Sequence, residues 1–211
     1  MFRQTLLAAS RSDWLRSVTS SVPLARDVVA RFVAGESTDD AVRASRGLRD
    51  DGLFASLDHL GEDTHDEGQA EAATKEYLTL LDRLFDAGLT EHVEVSLKLS
   101  AVGQALDGDG DKIAYANAAR VCEAARAVGT TVTLDMEDHT TVDATLGVLR
   151  DLRRDFPDVG AVIQAYLRRS EADCRDLAVA GSRVRLCKGA YAAPGGVGFG
   201  SPRAVDRSYV R

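Results

Sequence analysis

Apolar and polar residues alternate without a break in VEVSLKLS, where Val93, Val95, Leu97 and Leu99 oppose Glu94, Ser96, Lys98 and Ser100. A period of two sends the two sets to opposite faces of a strand. TVTLDMED repeats the pattern, with Val132, Leu134 and Met136 against Thr131, Thr133, Asp135 and Glu137. Gln164 falls opposite Ile163 and Ala165, and Arg183 and Arg185 fall opposite Val184 and Leu186. Strands are predicted over Leu53–Leu60, Val93–Ser100, Thr131–Asp138, Val159–Leu167 and Arg183–Tyr191. Between them, apolar residues recur at three and four positions over Glu67–Ala87, Asp111–Val128, Thr141–Arg154 and Glu171–Ala180. Those stretches read as helices, and Gly88, Gly129 and Gly181 stand where helix ends favour glycine.

Regular alternation of strand and helix predicts a parallel sheet with right-handed crossovers. The stretch before the first strand carries no strand pattern, and residues 3–49 read as two or three helices. We expect an N-terminal helical arm over residues 1–50 and a barrel-type domain over residues 51–211. The turn after the first strand, LGEDTHDEG, lacks the G-x-G-x-x-G of a doubly wound dinucleotide fold. Strand faces argue further. A strand covered on both sides should be apolar on both, whereas these have one apolar and one polar face. In a barrel the apolar face meets the outer helices and the polar face points inward. The expected class is therefore α/β, of the (βα)8 TIM-barrel type. Five βα units are legible where a barrel of about 250 residues has eight, so the barrel is expected to be incomplete, with a helix opening at Ser201–Arg211.

Composition narrows the function. The chain has 211 residues, 45% hydrophobic and 28% charged, as ordinary globular domains do, and a formal charge of −7. An acidic balance without clustered cations argues against generic nucleic-acid binding. No apolar run approaches the roughly 18 residues of a membrane span. Cys122, Cys174 and Cys187 are widely spaced and odd in number. They predict no disulfide framework and no structural zinc, and a cytoplasmic location.

Lys98, Asp135, Gln164 and Arg185 lie late in four successive strands on the polar face, where barrel enzymes keep their chemistry. These charges are able simply to neutralise one another. Burying charge costs several kcal/mol even when paired, however, and Val or Ile would be cheaper there. The face suits a pocket that holds a small anion or polarises a ring. His59 and His139 stand near strand ends but form no H-x-H or H-E-x-x-H pattern; with Asp135 they would supply a metal-dependent hydrolase. His65 and His92 read as loop residues. Asp135 and Glu137 share a face as a glycosidase pair would, yet the sole tryptophan, Trp14, lies in the helical arm. GAYAAPGGVGFGSP (Gly189–Pro202) matches no phosphate-loop pattern and reads as flexible. Cys187 faces inward as a small filler.

SLKLSAVG (Ser96–Gly103), VTLDMED (Val132–Asp138), VIQAYL (Val162–Leu167) and RLCKGAY (Arg185–Tyr191) resemble, in order and spacing, the motifs of proline dehydrogenases. FVAGEST (Phe32–Thr38) and SLDHLGE (Ser56–Glu62) are similar to the single-function bacterial form. The resemblance implies a (βα)8 barrel with non-covalent FAD. It implies oxidation of L-proline to 1-pyrroline-5-carboxylate and transfer of electrons to a quinone at the membrane, through peripheral contact. It also implies roles for single residues. Lys98 would bind the substrate carboxylate, and Asp135 and Arg185 would be catalytic. Gln164, Met136, Lys188, Gly189 and Ala190 would contact the flavin, and no metal site is implied.

Two departures from the family pattern stand out. Ala192, Ala193 and Pro194 occupy the place where a glutamate usually follows GAY. Strands six to eight, and a last helix that grips the substrate, have no counterpart. The resemblance therefore predicts that the 211 residues alone lack proline oxidation unless a missing C-terminal portion is supplied. The alternative within the same fold is a truncated, non-catalytic fragment.

Overall fold

The computed structural model describes residues 33–61 and 64–211. The expected arm lies mostly outside the described residues, as do Phe32 and Glu62 of the quoted motifs and Trp14. The described chain runs α1 (Thr38–Asp50), β1 (Ala55–Asp58), α2 (Glu67–Asp86), β2 (Val93–Leu97), a 3-10 turn (Ser100–Val102), α3 (Gly110–Val128), β3 (Val132–Leu134), α4 (Val142–Leu152), β4 (Gly160–Gln164), α5 (Ser170–Asp176), β5 (Val184–Cys187) and α6 (Pro202–Val210). The five strands form one sheet in the order β1-β2-β3-β4-β5, with every pairing parallel. It curls into an open part of a (βα)8 barrel, as strand parity predicts.

Strands are shorter than the alternation suggests, because the parallel ladder continues on one side only at their upper ends. Asp135 N–H still donates to Leu97 O (2.9 Å), and Ala165 N–H to Cys187 O (2.8 Å), beyond the last two-sided rungs. After Leu97 the chain leaves the strand and tightens into the 3-10 turn, so Ser100 is not a strand residue. Helix boundaries follow local chemistry. Ser37 caps α1 in a reciprocal box with Asp40. Asp66 caps α2 through Gln69 N–H (2.8 Å), and Ser201 followed by Pro202 opens α6.

Burial follows the predicted faces. Val93, Val95 and Leu97 of β2 and Val132 and Leu134 of β3 meet Tyr77, Leu81 and Leu84 of α2 and Ala114, Ala118 and Val121 of α3 in the main core. Ala41 and Val42 of α1 pack on the same cluster. A second cluster joins Met136, Val142, Val162, Tyr166 and Leu167 above the sheet, with Tyr191, Ala193, Val197 and Val205 resting on it. The loop from Gly189 to Pro202 is thus not a loose connection. Phe199 N–H donates to Tyr166 O (2.8 Å), Arg168 N–H to Val197 O (2.9 Å), and the Arg168 guanidinium stacks 4.8 Å from the Phe199 ring centre. Outer-face residues of β5 remain uncovered, with Val184 42% exposed.

Burial pushes the Cys122 thiol in the main core up from its ordinary 9.0 to about 12, with the Asp158 charge adding to the effect. The unfolded chain releases that proton first, so the fold binds more protons in this window and its stability falls with pH. The stabilisation is complete below pH 9 and drains away towards pH 12. Urea midpoints measured across this range are expected to fall with pH. The slope just above pH 9 should flatten in Cys122→Ala, and an unchanged slope would contradict this account.

Candidate functional site on the concave face

The inward residues of the sheet form layers of paired charge. Low in the barrel, Arg183, just before β5, pairs with Glu94 of β2, and the Thr133 hydroxyl donates to the same carboxylate (3.0 Å). In the middle, the Arg185 guanidinium reaches across the curl to Ser56 Oγ (3.1 Å), Ser96 Oγ (2.8 Å) and Asp135 Oδ1 (3.2 Å). At the top, the Lys98 ammonium is bound by Asp58 and lies 4.0 Å from Asp135 Oδ2. Ser96 of β2 and Lys98, just past its end, are two residues apart, as are Ser56 and Asp58 on β1. Parity alone therefore sets one member of each pair in the middle layer and one at the top. Asp135 sits between the two cations and is shared by both.

Gln164, the last residue of β4, is almost wholly buried and donates its side-chain N–H to Met136 O (2.8 Å). Its carbonyl oxygen Oε1 is buried without a hydrogen-bond partner. Such an orphaned acceptor is costly in a folded interior unless a ligand donor completes it. Met136 is buried beside it in the second cluster.

The strand-five motif is divided. Cys187 is half-buried, and its thiol is raised mainly by burial, then by the Asp135 charge. Lys188 points out to the surface, where its ammonium pairs with Asp206 of α6 at 2.7 Å. Ala190 is exposed. Gly189 has φ +87°, and a Cβ there would collide with the Tyr166 ring. Lys98, Asp135 and Arg185 are thus brought together, Gln164 and Met136 lie alongside, and Lys188 is turned towards α6.

Some readings of the sequence do not survive. β3 ends at Leu134, so Asp135 and Glu137 do not share a strand face. Glu137 instead accepts from the Ser100 N–H (3.1 Å) and the Ser100 hydroxyl, fixing the turn after β2. A metal-dependent centre finds no ligands, since among the described residues no group of three or more His, Cys, Asp or Glu side chains is placed to hold an ion. His59 packs edge-on against Tyr77, and His139 pairs with Asp138. Burial alone would raise the Asp138 carboxyl, but Thr140 and His139 hold it below its usual value.

Two site residues escaped the sequence reading, Asp58 and Tyr77. Asp58 sits in LFASLDHL, and its parity with Ser56 was the signal that could have marked it. Tyr77 reaches the site from α2, outside the sheet, where no strand pattern reports it.

The comparisons with known proteins follow this geometry. The family model for proline dehydrogenase matches residues 41–194, most of the chain and all four inward positions. The chain belongs to the proline dehydrogenase family. It is 37% identical over 187 residues to the proline dehydrogenase of Deinococcus radiodurans, covering 88% of this chain and 60% of that protein. It is 31% identical over 209 residues to proline dehydrogenase 2 of Bacillus subtilis, covering 99% of this chain and 67% of that one. Among solved structures, it superposes on proline utilization A from Bdellovibrio bacteriovorus, inactivated by N-propargylglycine, with a TM-score of 0.75 and 26% identity. That match covers 88% of this chain and 24% of the larger one. The chain thus spans 60% of the length of the Deinococcus relative.

The crowding at Gly189 gives a direct test of how the strand-five motif is built. Gly189→Ala is expected to cost about 1–3 kcal/mol, from the left-handed backbone and the Tyr166 collision. Gly195→Ala, whose Cβ would enter open space, should cost far less. Equal thermal stability of the two variants would refute the packing described.

Proposed function

We propose that this chain carries the substrate- and flavin-facing side of a proline dehydrogenase. That enzyme oxidises L-proline to 1-pyrroline-5-carboxylate with FAD and passes the electrons to a quinone. The observation that carries the reading is the convergence of Lys98, Asp135, Arg185 and the orphaned Gln164 acceptor on one concave face, in a chain of this family. Its domain boundaries are proposed as 1–50 for the arm and 51–211 for the FAD-binding barrel portion.

The donor set fits a flavin. Gln164 Oε1 would accept the ring imide N–H that its burial leaves unmatched, and Met136 would lie against the same ring. Gly189 and Ala190 would flank it from β5, and Lys188 would have to exchange its Asp206 partner to join them. Bound FAD supplies the two-electron acceptor that no amino-acid side chain provides.

The residues of the chain do the rest. Lys98 presents a compact positive charge to the proline carboxylate, and its pairing with Asp58 keeps it from wandering. Arg185, fixed by Ser56, Ser96 and Asp135, would hold a stationary guanidinium beside the ring and stabilise the negative charge of its reduced form. Asp135 holds both cations at a set separation, orienting donor and acceptor towards each other.

The quinone and the lipid around it are the proposed partners, met by peripheral contact from the cytoplasmic side. No helix among the described residues is long and apolar enough to cross a membrane.

FAD titration of the purified chain, followed by flavin fluorescence, tests the reading. Saturable binding is expected. Gln164→Ala should weaken it by about three- to tenfold, the worth of one hydrogen bond, and Arg185→Ala should abolish it. Binding that ignores both substitutions would contradict the proposed flavin face.

A further inference from the structure

Tyr77 is fully buried, belongs to α2, and brings its hydroxyl to the point where the β1–β2 ladder ends. The last rung of that ladder pairs Asp58 with Ser96. Beyond it, the Tyr77 oxygen accepts the His59 N–H (3.2 Å) and lies 2.9 Å from Ser96 O and 3.3 Å from Asp58 Oδ1. A phenol has a single proton to give, so that proton is shared between the Ser96 carbonyl and the Asp58 carboxylate. Burial, then the Asp58 charge, raises the phenol far above its ordinary value, so it stays a donor throughout the physiological range. The other carboxylate oxygen of Asp58 binds the Lys98 ammonium.

We propose that Tyr77 is a positioning residue for the Lys98 ammonium, acting through Asp58. The proposal deepens the substrate reading of Lys98 and rests on it for its functional meaning. The structural link itself stands apart from that reading. One hydroxyl ties the backbone just after β1, the backbone of β2 and the carboxylate that holds Lys98. The helix layer thereby sets the height at which the ammonium meets a bound carboxylate. Without the hydroxyl, Asp58 loses the contact that fixes its rotamer and gains rotation towards solvent, because its side chain is 26% exposed. Support of this kind separates a precise site from one that is present but loose.

Acetylation kinetics of single lysines, read by peptide mass spectrometry, test the link, because an ion-paired ammonium acylates slowly. Lys75, Lys112 and Lys188 serve as internal references. Tyr77→Phe keeps the ring and its packing. It is expected to speed acetylation of Lys98 by about threefold, as loss of one weak hydrogen bond would. The three references should not change. Asp58→Asn sets the upper limit and should speed it further. Fluorine placed beside the Tyr77 hydroxyl preserves the fold and strengthens the donor, and should slow Lys98 acetylation below the unmodified rate.

The proposal is overturned if Lys98 reacts at the unmodified rate in Tyr77→Phe, if all four lysines accelerate together, or if Asp58→Asn has no effect. The same assay with FAD and L-proline present separates the two ideas. If Tyr77→Phe frees Lys98 but L-proline never protects it, the positioning link stands and the substrate role of Lys98 fails.

Discussion

The concave face of the sheet must neutralise its own charge, and most of what is distinctive in this molecule follows from that demand. Lys98, Arg183 and Arg185 face Asp58, Glu94 and Asp135 across the curl of the sheet. None of the pairs is local in sequence. Arg183 and Glu94 are 89 residues apart, and Arg185 and Ser56 are 129 apart, so the network exists only when β5 has curled round towards β1. Pairing therefore reports closure of the sheet.

Such a network is a poor way to stabilise a fold. Ion pairs taken from water rarely repay their desolvation, and apolar residues of similar size serve a barrel interior at least as well. Gln164 points the same way, since a buried carbonyl without a donor is a debt the scaffold alone has no reason to carry. These polar groups make sense as the holders of a bound ring and a bound carboxylate. The family relationship supplies the chemistry that such holders would serve.

Much of this was legible from strand parity. Four alternating stretches place Lys98, Asp135, Gln164 and Arg185 on one side before any fold is assumed, and the helices on the other side follow from the same arithmetic. Other features answer to tertiary packing and leave little trace in a local pattern. Glu137 has the parity of a site residue, but the chain leaves β3 at Leu134 and the carboxylate is spent on the Ser100 turn. The glycines of Gly189–Pro202 suggest looseness, whereas Gly189 is there because the Tyr166 ring lies across it. Tyr77 follows a helical period and reads as core. Its ring is core, and only the far end of the side chain, the hydroxyl, belongs to the site.

The central claim is that the charged layer is kept for its ligands and contributes little to the fold. Thermal unfolding of the double variant Asp58→Leu with Lys98→Met tests it most directly, because the pair is replaced by apolar side chains of similar volume. The account predicts a melting temperature equal to or above that of the unmodified chain. A large fall in melting temperature would show that the pair is scaffold, and would contradict the claim.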